Sequence, residues 1–150
     1  MDEIDRRILN MLQVDASQTN SELALAVHVS PPTCLRRVKQ LKETGVIQRQ
    51  VAIVAPEKVG PSLTAVVEIS LDVQAAERMA EFEAHVAGED AVLQCYRVAP
   101  GPDFVLIVQV ADMPAYHALA HRLFATQTNV RNVKAYFSTF RSKFETRIAV

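Results

Sequence analysis

The stretch SPPTCLRRVKQLKETGVI, Ser30 to Ile47, gathers Arg36, Arg37, Lys39 and Lys42 between a helix start and a helix stop. Cationic side chains on one helix pair with phosphate oxygens, and a guanidinium can also grip a guanine edge with two hydrogen bonds. At about 100° per residue, Cys34, Leu35, Val38 and Leu41 fall on one side of such a helix. Thr33, Arg36 and Gln40 fall on the other, flanked by Pro32, Arg37 and Lys39. That surface suits two roles: the solvated side of an ordinary core helix, or a probe lying in a groove of DNA. Within residues 31–50, Arg36, Arg37, Lys39, Lys42 and Arg49 stand against Glu43 alone, a local excess in a slightly acidic chain. This excess, and the helix's place third in a tri-helical run, favour the DNA probe. Arg36 is the expected reader of a base edge. Arg37, Lys39 and Lys42 are the expected phosphate partners, an arrangement whose affinity falls with salt.

Other chemistry-bearing residues are sparse. His117 and His121 have the i, i+4 spacing of two metal ligands, but no acidic third ligand accompanies them, so a polar helix edge is the better reading. His28 and His85 have no partner in the sequence that would make a catalytic pair. Cys34 and Cys95 are isolated; Cys34 is expected as a small core residue, and neither zinc nor a disulfide framework is expected. No glycine-rich phosphate loop occurs. No cofactor or metal is expected.

Elements that position the basic helix can be read on either side of it. Ile4, Ile8, Met11 and Leu12 make one face of a helix over roughly Asp2–Val14, with Asp2, Glu3 and Asp5 in its first turn. A second helix runs from about Asn20 to Val27, with Thr19 and Glu22 at capping-box spacing and Leu23, Ala24 and Val27 inward. The HVS turn leads to Ser30, a good N-cap, and Pro31, tolerated at the first helical position. Gly45 is the expected stop. QRQVAIVAPEKVGPS then reads as a strand running into a hinge.

Beyond it the grammar changes. SLTAVVEISLDV alternates with strand period; a helix near Ala75–Ala87 carries Ala75, Met79, Phe82 and Val86 on one stripe. AVLQCYRVA and DFVLIVQVA read as strands joined by PGP. A helix near Met113–Phe124 turns Tyr116, Leu119, Ala120 and Leu123 inward, and VRNVKAYFSTF closes the unit as a strand. The order β-α-β-β-α-β is that of the ferredoxin-like fold. The fold class is therefore α+β, with a helix-turn-helix over residues 1–50, a linking strand and hinge over 51–61, and a ferredoxin-like domain over 62–150. Val92 and Tyr96 against Leu93 and Cys95, and Val105 and Ile107 against Phe104 and Leu106, make both sheet faces apolar. An uncovered apolar face is a partner surface, so a homodimer packed through its sheets is expected. With 150 residues, about half of them apolar, and no apolar run of about 18 residues, a cytoplasmic protein without a membrane span is the default.

The segments DEIDRRILNMLQVDA and NSELALAVHVSPPTCLRRVKQLKETGVIQRQVAIV, followed by the βαββαβ pattern, resemble the Lrp/AsnC (feast/famine) transcription regulators over almost the whole chain. The resemblance implies a DNA-binding regulator whose dimers assemble further, to tetramer or octamer, and respond to a small molecule, commonly an amino acid. It implies that Ser30 caps the recognition helix and that Pro32, Thr33, Arg36, Arg37 and Lys39 face double-stranded DNA. It also implies an effector site around a G-x-x-D loop, here VAPGPDFVLIV: Asp103 fits, Pro100 stands where the family has glycine, and Gly101 comes one place later. Tyr136 and Ser138 match the other side of that site. Asp103 could hold an α-ammonium group or simply cap a tight turn. Two rivals remain on the same architecture: an effector-independent DNA-organising protein, and a siroheme-decarboxylase-like enzyme, which the intact basic helix disfavours. The chain is expected not to be an enzyme.

Overall fold

The computed structural model describes residues 1–150, which divide into two compact units: Met1–Ile53 together with Ser142–Val150, and Val54–Arg141. The sequence predicts a second domain running through residue 150. The last nine residues instead group with the first unit, where the Gln13 side chain holds the Ile148 backbone from both sides, donating to its carbonyl and accepting from its N–H.

Three helices make the first unit: α1 (Glu3–Leu12), α2 (Asn20–Ala26) and α3 (Pro31–Glu43). Each starts on a side-chain cap. Asp2 and Asp5 form one capping box and Thr19 and Glu22 another, while the Ser30 hydroxyl accepts from Thr33 N–H. Ile8, Leu9, Leu23, Ala24, Val27, Cys34 and Leu41 form its core. Leu35, expected among them, is 60% exposed. The expected strand after Gln48 is absent, and residues 48–55 take no regular secondary structure. A strand needs a neighbour to satisfy its backbone groups, and no strand of this chain pairs with these residues. Val51, Ile53 and Val54 are accordingly exposed.

The second unit opens with a single helical turn, α4 (Pro56–Val59), and then follows β1 (Leu63–Leu71), α5 (Ala76–Ala87), β2 (Val92–Arg97), β3 (Phe104–Val110), α6 (Met113–Ala120) and β4 (Val130–Phe137). A π-helical turn, His121–Ala125, extends α6, so the expected helix to Phe124 finishes in wider geometry. The sheet order β2-β3-β1-β4, with antiparallel neighbours, is the ferredoxin-like arrangement. Ala65, Val67, Ile69 and Leu71 of β1 and Phe104, Leu106 and Val108 of β3 are fully buried with Met79, Phe82, Val86, Leu119 and Phe124 from the helices and the π-turn. Ala75, expected on the buried stripe, is an exposed N-cap instead. Val66, Glu68, Val105, Ile107, Lys134 and Tyr136 share the opposite face by register.

Candidate nucleic-acid interface and effector site

The basic helix is held by its neighbours at both ends. The α2–α3 turn closes on Val29 N–H to Ala24 O and His28 N–H to Leu25 O, with His28 at φ 60°. This is the paired C-terminal bonding that usually calls for glycine, and histidine tolerates the left-handed conformation better than most residues. Asn20, at the start of α2, donates to the Pro31 carbonyl at 2.9 Å and pins the first turn of α3. At the far end Gly45, at φ 75°, ends the helix with its N–H on Lys42 O.

Between these fixed ends, Pro32, Arg36, Lys39, Gln40 and Lys42 are exposed and Thr33 is half-buried. Arg36 and Lys42 have no hydrogen bond or ion pair within the chain. Lys39 makes only a solvent-exposed contact with Glu43 at 3.7 Å. Ser30 occupies the cap position, its hydroxyl also bonded to Thr33 Oγ1.

Arg37 behaves differently from the expectation that it pairs with phosphate. Its side chain is only 18% exposed, and Nη1 donates to both Asp2 carboxylate oxygens (2.9 and 2.7 Å) and to Asp5 Oδ1 (2.9 Å). The cluster ties α3 to the cap of α1. Asp5 N–H and, after it, the Arg37 guanidinium hold the Asp2 carboxyl below the usual carboxylate range. The two acids in turn raise the Arg37 pKa. Arg37 is thus engaged inside the unit. The wheel could have shown this: three residues after Cys34 and four before Leu41, Arg37 flanks the buried side more closely than Leu35 does.

In the second unit, Asp103 sits at the start of β3, where its Oδ2 accepts Leu71 N–H at 2.6 Å and its own N–H donates to Ile69 O. One carboxylate oxygen therefore secures the β1–β3 end, the turn-capping role, and the other makes no bond. Pro100 follows a cis peptide, and Gly101 takes φ 116°, a backbone conformation that glycine adopts readily. Tyr136 pairs in register with Val66, and Ser138 N–H donates to Thr64 O. Along β1 these contacts lie three residues (Ile69 to Val66) to seven residues (Leu71 to Thr64) apart, about 10 to 23 Å. Gly101 and Asp103 make no hydrogen bond to Tyr136 or Ser138 within the chain.

His117 of α6 and His121 of the π-turn line one groove, and no group of three or more metal-ligating side chains forms around them or elsewhere. Cys34 is buried, and that burial raises its thiol pKa, as suits a core residue. No helix is long and apolar enough to cross a membrane.

Residues 64–148 match the model of the Lrp/AsnC ligand binding domain. This chain belongs to the Lrp/AsnC family. Residues 1–48 of this Lrp/AsnC protein match winged helix-turn-helix DNA-binding domains. The chain is 33% identical over 150 residues to the DNA-binding transcriptional activator DecR of Escherichia coli K12, covering all of this chain and 99% of that protein. An AsnC family transcriptional regulator from Agrobacterium tumefaciens superposes with a TM-score of 0.91 at 34% identity, covering 99% of this chain and 96% of that one. A transcriptional regulator from Neisseria meningitidis, solved in complex with L-Met, gives 0.90 at 30% identity over 99% and 96%. The present Lrp/AsnC chain is a transcriptional regulator with a helix-turn-helix DNA-binding domain and a ligand-binding domain.

Proposed function

We propose that this regulator reads a specific, near-palindromic DNA site with α3, using Arg36 for a base edge and Pro32, Thr33, Lys39 and Lys42 for fit and phosphates. The observation that carries this is Arg36 itself: exposed and unpaired on a helix whose other arginine is engaged inward. Two copies place two such helices about one helical turn apart on the duplex. Arg37 acts as a positioning residue that fixes the helix. In a gel-shift titration against a selected operator, Arg36→Ala loses about 1–3 kcal/mol of specific binding with its thermal melt unchanged. Lys42→Ala weakens all sequences alike and lowers the salt slope by about one. Unaltered operator affinity for Arg36→Ala overturns the assignment.

The effector we propose is an amino acid, held between the C-terminal domains of two copies in a cytoplasmic homo-oligomer. The Neisseria relative bound to L-Met supports that ligand class. The unbonded oxygen of Asp103 suits an α-ammonium group, and Gly101, Tyr136 and Ser138 complete the site only when a second copy brings the far end of its sheet. Calorimetry with the standard amino acids should give a saturable heat that Asp103→Asn abolishes. A second reading, constitutive DNA organisation without an effector, has one observation in its favour: Pro100 has no N–H to offer a carboxylate. No heat with any amino acid supports it.

A further inference from the structure

One strand across from the β1 end that Asp103 secures, a groove of about 380 Å³ opens between α6 with its π-turn and the start of β4. Its polar wall is made by His117, His121 and Arg131, and Ala120, Phe124 and Val130 are among its apolar residues. No aspartate or glutamate lines it. His117, His121 and Arg131 are exposed and make no hydrogen bond or ion pair in the chain. The π-turn forms one wall, carrying His121, Phe124 and Ala125. Strand β4 is an edge of the sheet, so one side of its backbone is not paired with another strand.

We propose that this groove binds a small organic carboxylate with an apolar body and no ammonium group, such as a branched-chain 2-oxo acid. Arg131 presents a fork of N–H donors that matches a carboxylate. Ring N–H groups of His117 and His121 suit a neighbouring keto oxygen, and the apolar residues suit an aliphatic chain. A zwitterionic amino acid brings an ammonium group beside Arg131 with no carboxylate to receive it. Charge thus separates this groove from the proposed effector site, where Asp103 stands ready for that ammonium. The same regulator would then sense an amino acid and its deaminated counterpart at different places.

The test is calorimetry on the full chain with 4-methyl-2-oxopentanoate, beside L-leucine and inorganic phosphate. The expected result is saturable binding of the oxo acid, weakened about tenfold by Arg131→Gln and lost in Ala125→Glu, which adds a negative charge to the rim. Asp103→Asn leaves it unchanged, so failure of the effector site and failure of this groove are separable. Melts by circular dichroism confirm that these surface variants fold, and His121→Ala gives a second reading of the same wall. The proposal is overturned by absence of saturable heat or by binding that Arg131→Gln and Ala125→Glu leave intact. It is equally overturned by phosphate or L-leucine binding as tightly at a site sensitive to Arg131→Gln.

Discussion

Arg36 and Arg37 are neighbours of the same type on the same helix, and their surroundings divide the labour. Arg36 is exposed and unpaired, whereas Arg37 meets two carboxylates at the start of α1. Substitution should separate the two roles. Arg37→Ala lowers the melting temperature by several degrees and weakens DNA binding through loss of α3 placement. Arg36→Ala, by contrast, leaves the melt alone. The cluster also sets a pH dependence. The folded Asp2 pKa lies below its unfolded value, so its stabilising contribution is complete at neutral pH. That contribution is lost as pH falls from about 4, the ordinary carboxylate range, through the lower folded value. Melts of the parent and Asp2→Asn should therefore differ near neutrality and converge in acid. A constant difference between them at every pH would falsify the linkage.

Elements in the first unit are defined by their ends. Thr19 and Glu22 cap α2 reciprocally, and the Thr19 N–H and hydroxyl hold the Glu22 carboxyl below its usual range. Thr19→Ala should cost about 1 kcal/mol in a denaturant melt. These caps were legible because they depend on residues three apart in sequence. The Asn20 contact to Pro31 and the Gln13 clasp on Ile148 were not, since the partners are remote in sequence and single polar side chains give no periodic signal. The linking segment shows the converse. Its residues read as a strand, yet a strand exists only with a hydrogen-bonding neighbour, and this chain offers none.

At the scale of the whole molecule, the ferredoxin-like unit carries its helices on one sheet face and leaves Val66, Val105, Ile107 and Tyr136 on the other. Lys134 lies 5.3 Å from the Tyr136 ring centroid on that face, so it is mixed rather than uniformly apolar. Association through it is the simplest way to cover the apolar part, and it would also join the two halves of the effector site. Ile107→Asp should therefore convert the oligomer to a monomer in light scattering, with secondary structure kept by circular dichroism. The same variant should lose any amino-acid heat while keeping the oxo-acid heat of the α6–β4 groove. An oligomer unaffected by Ile107→Asp would move the interface elsewhere.

The βαββαβ order, the Thr19–Glu22 capping box, the start and stop of α3 and the buried stripes apart from Leu35 and Ala75 were determined by local pattern. Each depends on periodicity or on residues within one turn of each other. The wheel already leans Arg37 toward the buried side; tertiary structure alone decided that Asp2 and Asp5 receive it and that one Asp103 oxygen is taken by Leu71. It also decided that residues 142–150 join the first unit and that Asp103 and Ser138 lie at opposite ends of one strand. The physical reason is the same throughout. A charged or polar side chain takes the nearest complementary group in space, and what is nearest in space is set by packing between elements, which no local pattern encodes.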